Sequence, residues 1–227
     1  MNTNLDSVFV KIDSSDIIRK KIETERDSFE LSLKDSALIN LKVKSNKYIG
    51  HGEELGLLKN RGIRAYFNKH EDGFYDIDKL KTTEFKITYK KNDTIIFNDS
   101  ILLVVKDSKF RKYNHKYDVF YDAENVNFLG VYKIDGNYFW GTDGGGLPYW
   151  QSDTIILSLN KSKNLLPKSA YFNLYSPNIY HSVLYQSHDK KYIFLCMLNS
   201  DGAGSYEVYF VFKNNRYIGR IVINGEC

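Results

Sequence analysis

Two short segments of this chain carry residue types suited to binding chemistry: Trp140-Gly-Thr-Asp-Gly-Gly-Gly146 and Asn199-Ser-Asp-Gly-Ala-Gly-Ser205, each containing Asp-Gly-x-Gly. The carboxylates of Asp143 and Asp201 suit either the capping of local backbone or the ligation of a hard cation such as calcium, which takes oxygen donors. Gly144, Gly145 and Gly202 permit left-handed or closely packed backbone that side chains forbid. Around the loops stand Thr142 and the aromatics Tyr138, Trp140, Tyr149, Trp150 and Tyr206, flat contact surfaces of the kind that hold sugars, peptides or partner proteins. Two readings share these residues: a pair of elaborate hairpin turns, or the rim of one binding site. In the second, Asp143 and Asp201 face a common cleft with Trp140 or Trp150 on its wall.

Two other groupings are weaker. Glu84-Phe85-Lys86, preceded by Asp72, Asp76 and Asp78, has the spacing by which some metal-dependent nucleases set a carboxylate and a lysine on one strand face. Phe85, Ile87 and Tyr89 complete an amphipathic strand there, so Glu84 and Lys86 read as its solvent face. The histidines, His51, His70, His115, His181 and His188, are scattered; only His70 beside Glu71 and Asp72, and His115 near Asp118, neighbour carboxylates. None meets a metal-ligand spacing, and they read as surface residues.

The signatures of common enzymes are missing from the sequence: no Gly-x-Ser-x-Gly, no His-Glu-x-x-His, no phosphate loop, no Cys-x-x-Cys and no dinucleotide-binding Gly-x-Gly-x-x-Gly. The 32 basic and 28 acidic residues give a net charge of +4, mixed along the chain with no basic arm or stripe to track a phosphate backbone. Nucleic acid is therefore a weak candidate partner. The apolar runs, Ile101 to Val105 among them, are strand-sized and far short of a membrane span. Met1 to Asp6 has no basic region with an apolar stretch behind it. Cys196 sits in an apolar run and Cys227 ends the sequence, so a reduced, cytoplasmic protein is expected. A leader removed before expression stays open, and so does the oligomeric state.

The elements that must position these residues are strands. Aromatics make up 15% of the chain, with eighteen Tyr, a bias toward pleated surfaces. Period-two alternation recurs at Val8–Ile12, Phe29–Leu33, Leu41–Val43, Phe85–Tyr89 and Ile155–Leu159. Turn signals fall at Lys91-Asn-Asp93, Asn98-Asp-Ser100, Asp135-Gly-Asn137 and Asn214-Asn215. A C-terminal meander of Lys191–Leu198, Tyr206–Phe212 and Arg216–Ile223 is expected, with the Asn pair in a tight primed turn. A second hairpin is expected over Phe128–Ile134 and Asn137–Trp140. Helix is sparse: Asp16 to Arg26 after a Ser15 cap, and a short turn over Lys168–Leu174 capped by Ser169. Leu166 to Asn178 interrupts the strands and is placed across one end of the sheet.

These features predict a mainly β fold, an antiparallel sandwich or open barrel of hairpins and meanders with one or two short helices. Residues 1–227 form one globular unit or two packed β halves, 1–120 and 121–227, with a soft boundary near Arg111–Asn125. The functional expectation is a non-enzymatic binding protein of bacterial type that needs no cofactor. It presents Trp140, Thr142, Asp143, Gly144, Gly145, Tyr149, Trp150, Asp201, Gly202 and Tyr206 to a protein partner, as an immunity protein meets its toxin. The alternative is a carbohydrate-active or calcium-binding β module or hydrolase using Asp143 and Asp201, with Asp153 as a further ligand or acid.

Overall fold

The computed structural model describes residues 39–44, 53–98, 100–121, 129–142, 145–160, 162–200 and 202–225. The expected strands at Val8–Ile12 and Phe29–Leu33, the helix from Asp16, His51, Asp143, Gly144, Asp201 and Cys227 lie outside them.

In chain order the strands are β1 (Ile39–Lys44), β2 (Phe67–Lys69), β3 (Tyr75–Ile77), β4 (Thr82–Glu84) and β5 (Tyr89–Lys91). There follow β6 (Thr94–Asn98), β7 (Ile101–Lys109), β8 (Tyr117–Tyr121), β9 (Leu129–Ile134) and β10 (Trp150–Leu159). The last five are β11 (Ser162–Leu165), β12 (Ser182–Ser187), β13 (Tyr192–Asn199), β14 (Tyr206–Lys213) and β15 (Arg216–Asn224). Helix among the described residues is limited to α1 (Arg61–Arg64) and single 3-10 turns. None is long and apolar enough to cross a membrane.

The chain is mainly β. One five-stranded antiparallel sheet runs β11-β10-β7-β6-β5 and a second runs β15-β14-β13-β12-β4. The two share one core in which Ile95, Leu103, Val105, Ile155 and Leu157 of the first meet Leu184, Ile193, Leu195, Val208 and Phe210 of the second. This is sheet-on-sheet packing, with no closed barrel among the described residues, and its core draws residues from both sides of position 120.

The expected meander is present within one residue of its expected bounds, and Asn214 and Asn215 turn it with φ of 51° and 61°. Its central strands are apolar at nearly every position because both faces are covered. Ile193, Leu195 and Met197 enter the shared core. Tyr192, Phe194 and Cys196 point the other way, toward Leu58, Ile63, Phe67 and Ile77 from the 3-10 turn Gly56–Lys59, α1 and the β2–β3 hairpin. Phe67 meets Phe194 and Tyr209 edge-on at 5.5 and 5.2 Å. Cys196 is a buried free thiol as expected, and burial pushes its pKa well up.

Three local expectations need correction. The single strand Phe85–Tyr89 does not form. Phe85 N–H donates to Leu184 O in the second sheet, whereas Thr88 N–H donates to Ile96 O in the first. Residues 85–88 therefore cross between the layers, and the same alternation serves two short strands in different sheets. The hairpin at Asp135-Gly136 keeps its turn, with φ of 50° and 76°, but its second arm shrinks to the bridge Ile134–Asn137 because Trp140 pairs in parallel with Leu174 instead. The turn after Pro167 is a 3-10 helix, Lys168–Ala170, whose N-cap is Pro167 rather than Ser169, with no side-chain cap bond.

A smaller sheet, β1-β8-β9, in which β1 and β8 are parallel, packs its own cluster of Phe110, Tyr117, Val119, Val131, Ile134, Phe139, Leu147 and Tyr175. Tyr175 leads from this cluster into the segment that ties the fold together.

Candidate functional site

Segment 173–178 joins three stretches far apart in sequence. Trp140 N–H donates to Asn173 O and Tyr175 N–H returns a bond to Trp140 O. Ser176 then uses every polar group it has. Its N–H donates to Trp150 O at 2.9 Å, its Oγ donates to Gly141 O at 2.9 Å, and its carbonyl accepts from Ser200 N–H at 3.0 Å. The stems of the two Asp-Gly-x-Gly loops and the first residue of β10 thus meet at one serine. Ser176 holds this position at a φ of 51°, a conformation that side chains other than Gly, Asn and Asp seldom take and that persists where neighbours over-determine it.

Packing reinforces the junction. The Tyr206 hydroxyl donates to Tyr175 O at 2.8 Å, and the Trp140 and Tyr206 rings lie 5.9 Å apart. A Cβ at Gly141 would stand 2.4 Å from Tyr175 O, and the φ there is 100°, so only glycine fits. Asn199, nearly fully buried, accepts Asn178 N–H on Oδ1 at 2.7 Å.

A second polar tie holds the same segment. Arg220 pairs with Glu54 through Nε and Nη2 at 2.9 and 2.8 Å, and donates to Ala170 O and Asn173 Oδ1, each at 2.7 Å. Its side chain is 10% exposed and that of Glu54 35%. The Asn173 amide in turn donates to Tyr138 O, so one guanidinium orients the segment that carries Ser176.

The expected site residues divide by burial. Trp140 and Tyr206, 6% and 0% exposed, belong to the shared core and pack against each other at the loop stems. Gly145 is buried, its carbonyl accepting from Val131 N–H at 2.8 Å, and Thr142 is half-buried. Gly145 and Gly202 take φ of 83° and 66°, the left-handed backbone those loops demand of glycine. Tyr149 and Trp150 are 41% and 44% exposed. Their backbones are fixed: Phe110 N–H donates to Tyr149 O at 2.8 Å, and Trp150 stands in register with Lys109 of β7. Asp153 sits at the β10 irregularity and accepts from Ser108 Oγ at 3.0 Å.

The other candidate groups do not assemble. Asp78 accepts Leu80 N–H and Lys81 Nζ, and the lysine holds its carboxyl below the usual range. Glu84, the last residue of β4, and Lys86, two residues beyond it, are both exposed. His70 pairs with Asp76 at 3.3 Å and His115 with Asp135 at 2.7 Å, in both cases not the carboxylate nearest in sequence. No group of three or more His, Cys, Asp or Glu gathers among the described residues. Ser176, Asn173 and Arg220 were missed by sequence reasoning, since their partners lie tens of residues away; the only hint was that Leu166 to Asn178 broke the strand pattern.

The fold and this junction define a mainly antiparallel β protein in which two loop stems and the exposed Trp150 are tied at Ser176. No family model, curated protein or solved structure matches the chain.

Proposed function

We propose that this chain is a non-enzymatic binding protein whose surface, centred on Tyr149 and Trp150, docks a protein partner. The observation that supports it is the pair of adjacent large aromatics that are exposed yet held on a fixed backbone. Aromatic anchors that need little ordering dominate interface energies. Neutralisation of a toxin, as an immunity protein achieves it, is the form of this function suggested by composition. The test is photo-crosslinking in extract of the source cell with the wild type, Trp150→Ala and Tyr180→Ala; Tyr180 is a similarly exposed ring on another element. The reading requires a crosslinked partner lost with Trp150→Ala and kept with Tyr180→Ala. Equal capture by all three rejects it.

The meeting of the two loop stems at Ser176 favours a second reading, calcium or sugar binding through Asp143 and Asp201. Calcium bound to the folded state raises the melting temperature by mass action, so a melt unchanged by millimolar calcium removes the calcium form of this reading.

A further inference from the structure

We infer that the partner face meeting Tyr149 and Trp150 is acidic, and that Lys109, Arg111 and Lys116 recognise it beside a third exposed ring, Tyr113. This rests on the docking reading above and adds the chemistry of the partner.

The argument begins with register. Lys109 is the direct cross-strand partner of Trp150, so the two side chains stand side by side on one face. The chain then passes Phe110, whose N–H holds Tyr149 O, and turns through Arg111 to Asn114, where Asn114 N–H donates to Arg111 O. On that turn Tyr113 is 65% exposed, with Lys112 Nζ 4.9 Å from its ring centroid.

The turn is held in place rather than loose. His115 stacks on Phe110 at 4.5 Å and bonds Asp135 at 2.7 Å, while Lys116 N–H donates to the other Asp135 oxygen at 2.9 Å. Residues 106–116 carry Lys106, Lys109, Arg111, Lys112 and Lys116 against one carboxylate, Asp107. Of the other acids nearby among the described residues, Asp135 bonds His115 and the Lys116 N–H, Asp153 accepts from Ser108, and Asp118 follows Lys116 by two positions on β8. Lys109, Arg111 and Lys116 are exposed and form no ion pair among the described residues.

The stretch that carries Lys109, cross-strand partner of Trp150, and the exposed Tyr113 is therefore richer in cations than the chain as a whole, whose charge is only +4. Complementary charge steers association and selects partners, while the rings supply the desolvated anchor. A protein partner is favoured over a nucleic acid because the cations fall within one short stretch around a turn, not along an extended basic stripe.

The test uses the full chain and poly-L-glutamate as probe, followed by tryptophan fluorescence. Of the two tryptophans only Trp150 is exposed, so it reports on this surface. The expected result is a saturable emission change that weakens with salt. The variant K109E/R111E/K116E should bind about tenfold more weakly, while K59E/R61E/R64E, equal in net charge and placed on the layer over the second sheet, should bind as wild type. Equal loss in both variants, or loss in neither, overturns the inference. Tighter binding of a twenty-residue oligothymidine than of poly-L-glutamate at the same salt overturns it in favour of nucleic acid. If these charge reversals leave the crosslinked partner bound while Trp150→Ala releases it, the acidic assignment falls and the docking reading stands. If Trp150→Ala also leaves that partner bound, the docking reading falls with it.

Discussion

The Ser176 hydroxyl donates to the Gly141 carbonyl at 2.9 Å, joining the covering segment to the stem of a glycine loop thirty-five positions earlier. Ser176→Ala removes that bond and leaves a part-buried carbonyl without its donor. A loss of about 1–2 kcal/mol is expected in denaturant melts. Ser176→Gly should cost less, since it loses the same bond but relieves the left-handed φ. Equal stability of the wild type and the alanine variant would deny the junction its structural role.

Gly141 gives a sharper comparison. Gly141→Ala drives a Cβ to 2.4 Å from Tyr175 O at a φ of 100°, whereas Gly136→Ala, at a φ of 76°, meets open space. The first should cost about 3 kcal/mol or more and the second about 1 kcal/mol. Similar melting temperatures for the two variants would contradict the close approach of segment 173–178 to the glycine loop.

Arg220→Met keeps the apolar stem but strips four hydrogen bonds, leaving Glu54, Ala170 O and Asn173 without their donor. The expected cost is about 2–3 kcal/mol, below the fully buried case because Glu54 is partly screened by solvent. A double-mutant cycle with Glu54→Gln should show coupling between the two; strict additivity would mean that the ion pair contributes nothing.

Iodide should quench Trp150 and spare Trp140. Trp150→Phe is then expected to remove the quenchable emission at little cost in stability, while Trp140→Ala should cost about 3–5 kcal/mol through the cavity it leaves. The reverse pattern would exchange the two tryptophans between core and surface.

Stability should fall at both ends of the pH scale. Asp78 is held below its usual value by the Lys81 hydrogen bond, and Asp189 by the Ser187 hydroxyl and then Lys191. Their stabilisation is present above the ordinary carboxylate value near 3.8 and is lost as pH falls through the lower folded values. Burial raises Tyr175, Tyr185 and Tyr206 above 10.0 and pushes Tyr217 up to about 12. That contribution is complete below pH 10.0 and is lost at higher pH, because the unfolded phenols ionise first. Melts at pH 11 that match those at pH 8 would contradict the burial of these rings.

Short-range periodicity and turn chemistry made part of this fold legible in the chain. The alternation at Ile155–Leu159, the unbroken apolar run around Cys196 and the Asn214-Asn215 pair were each legible because strand faces and tight turns depend on residues two to four positions apart. What stayed hidden depends on partners far along the chain. Phe85–Tyr89 reads as one strand because period two is the same whether a chain stays in a sheet or steps between two. Trp140 and Trp150 look alike in sequence, yet one lies against Tyr206 in the core and the other stands beside Lys109 at the surface. Ser176 reads as an ordinary loop serine. Only tertiary structure brings Gly141, Trp150 and Ser200 within hydrogen-bonding reach of it, because the bonds that close a β fold run between strands whose separation in sequence carries no periodic signal.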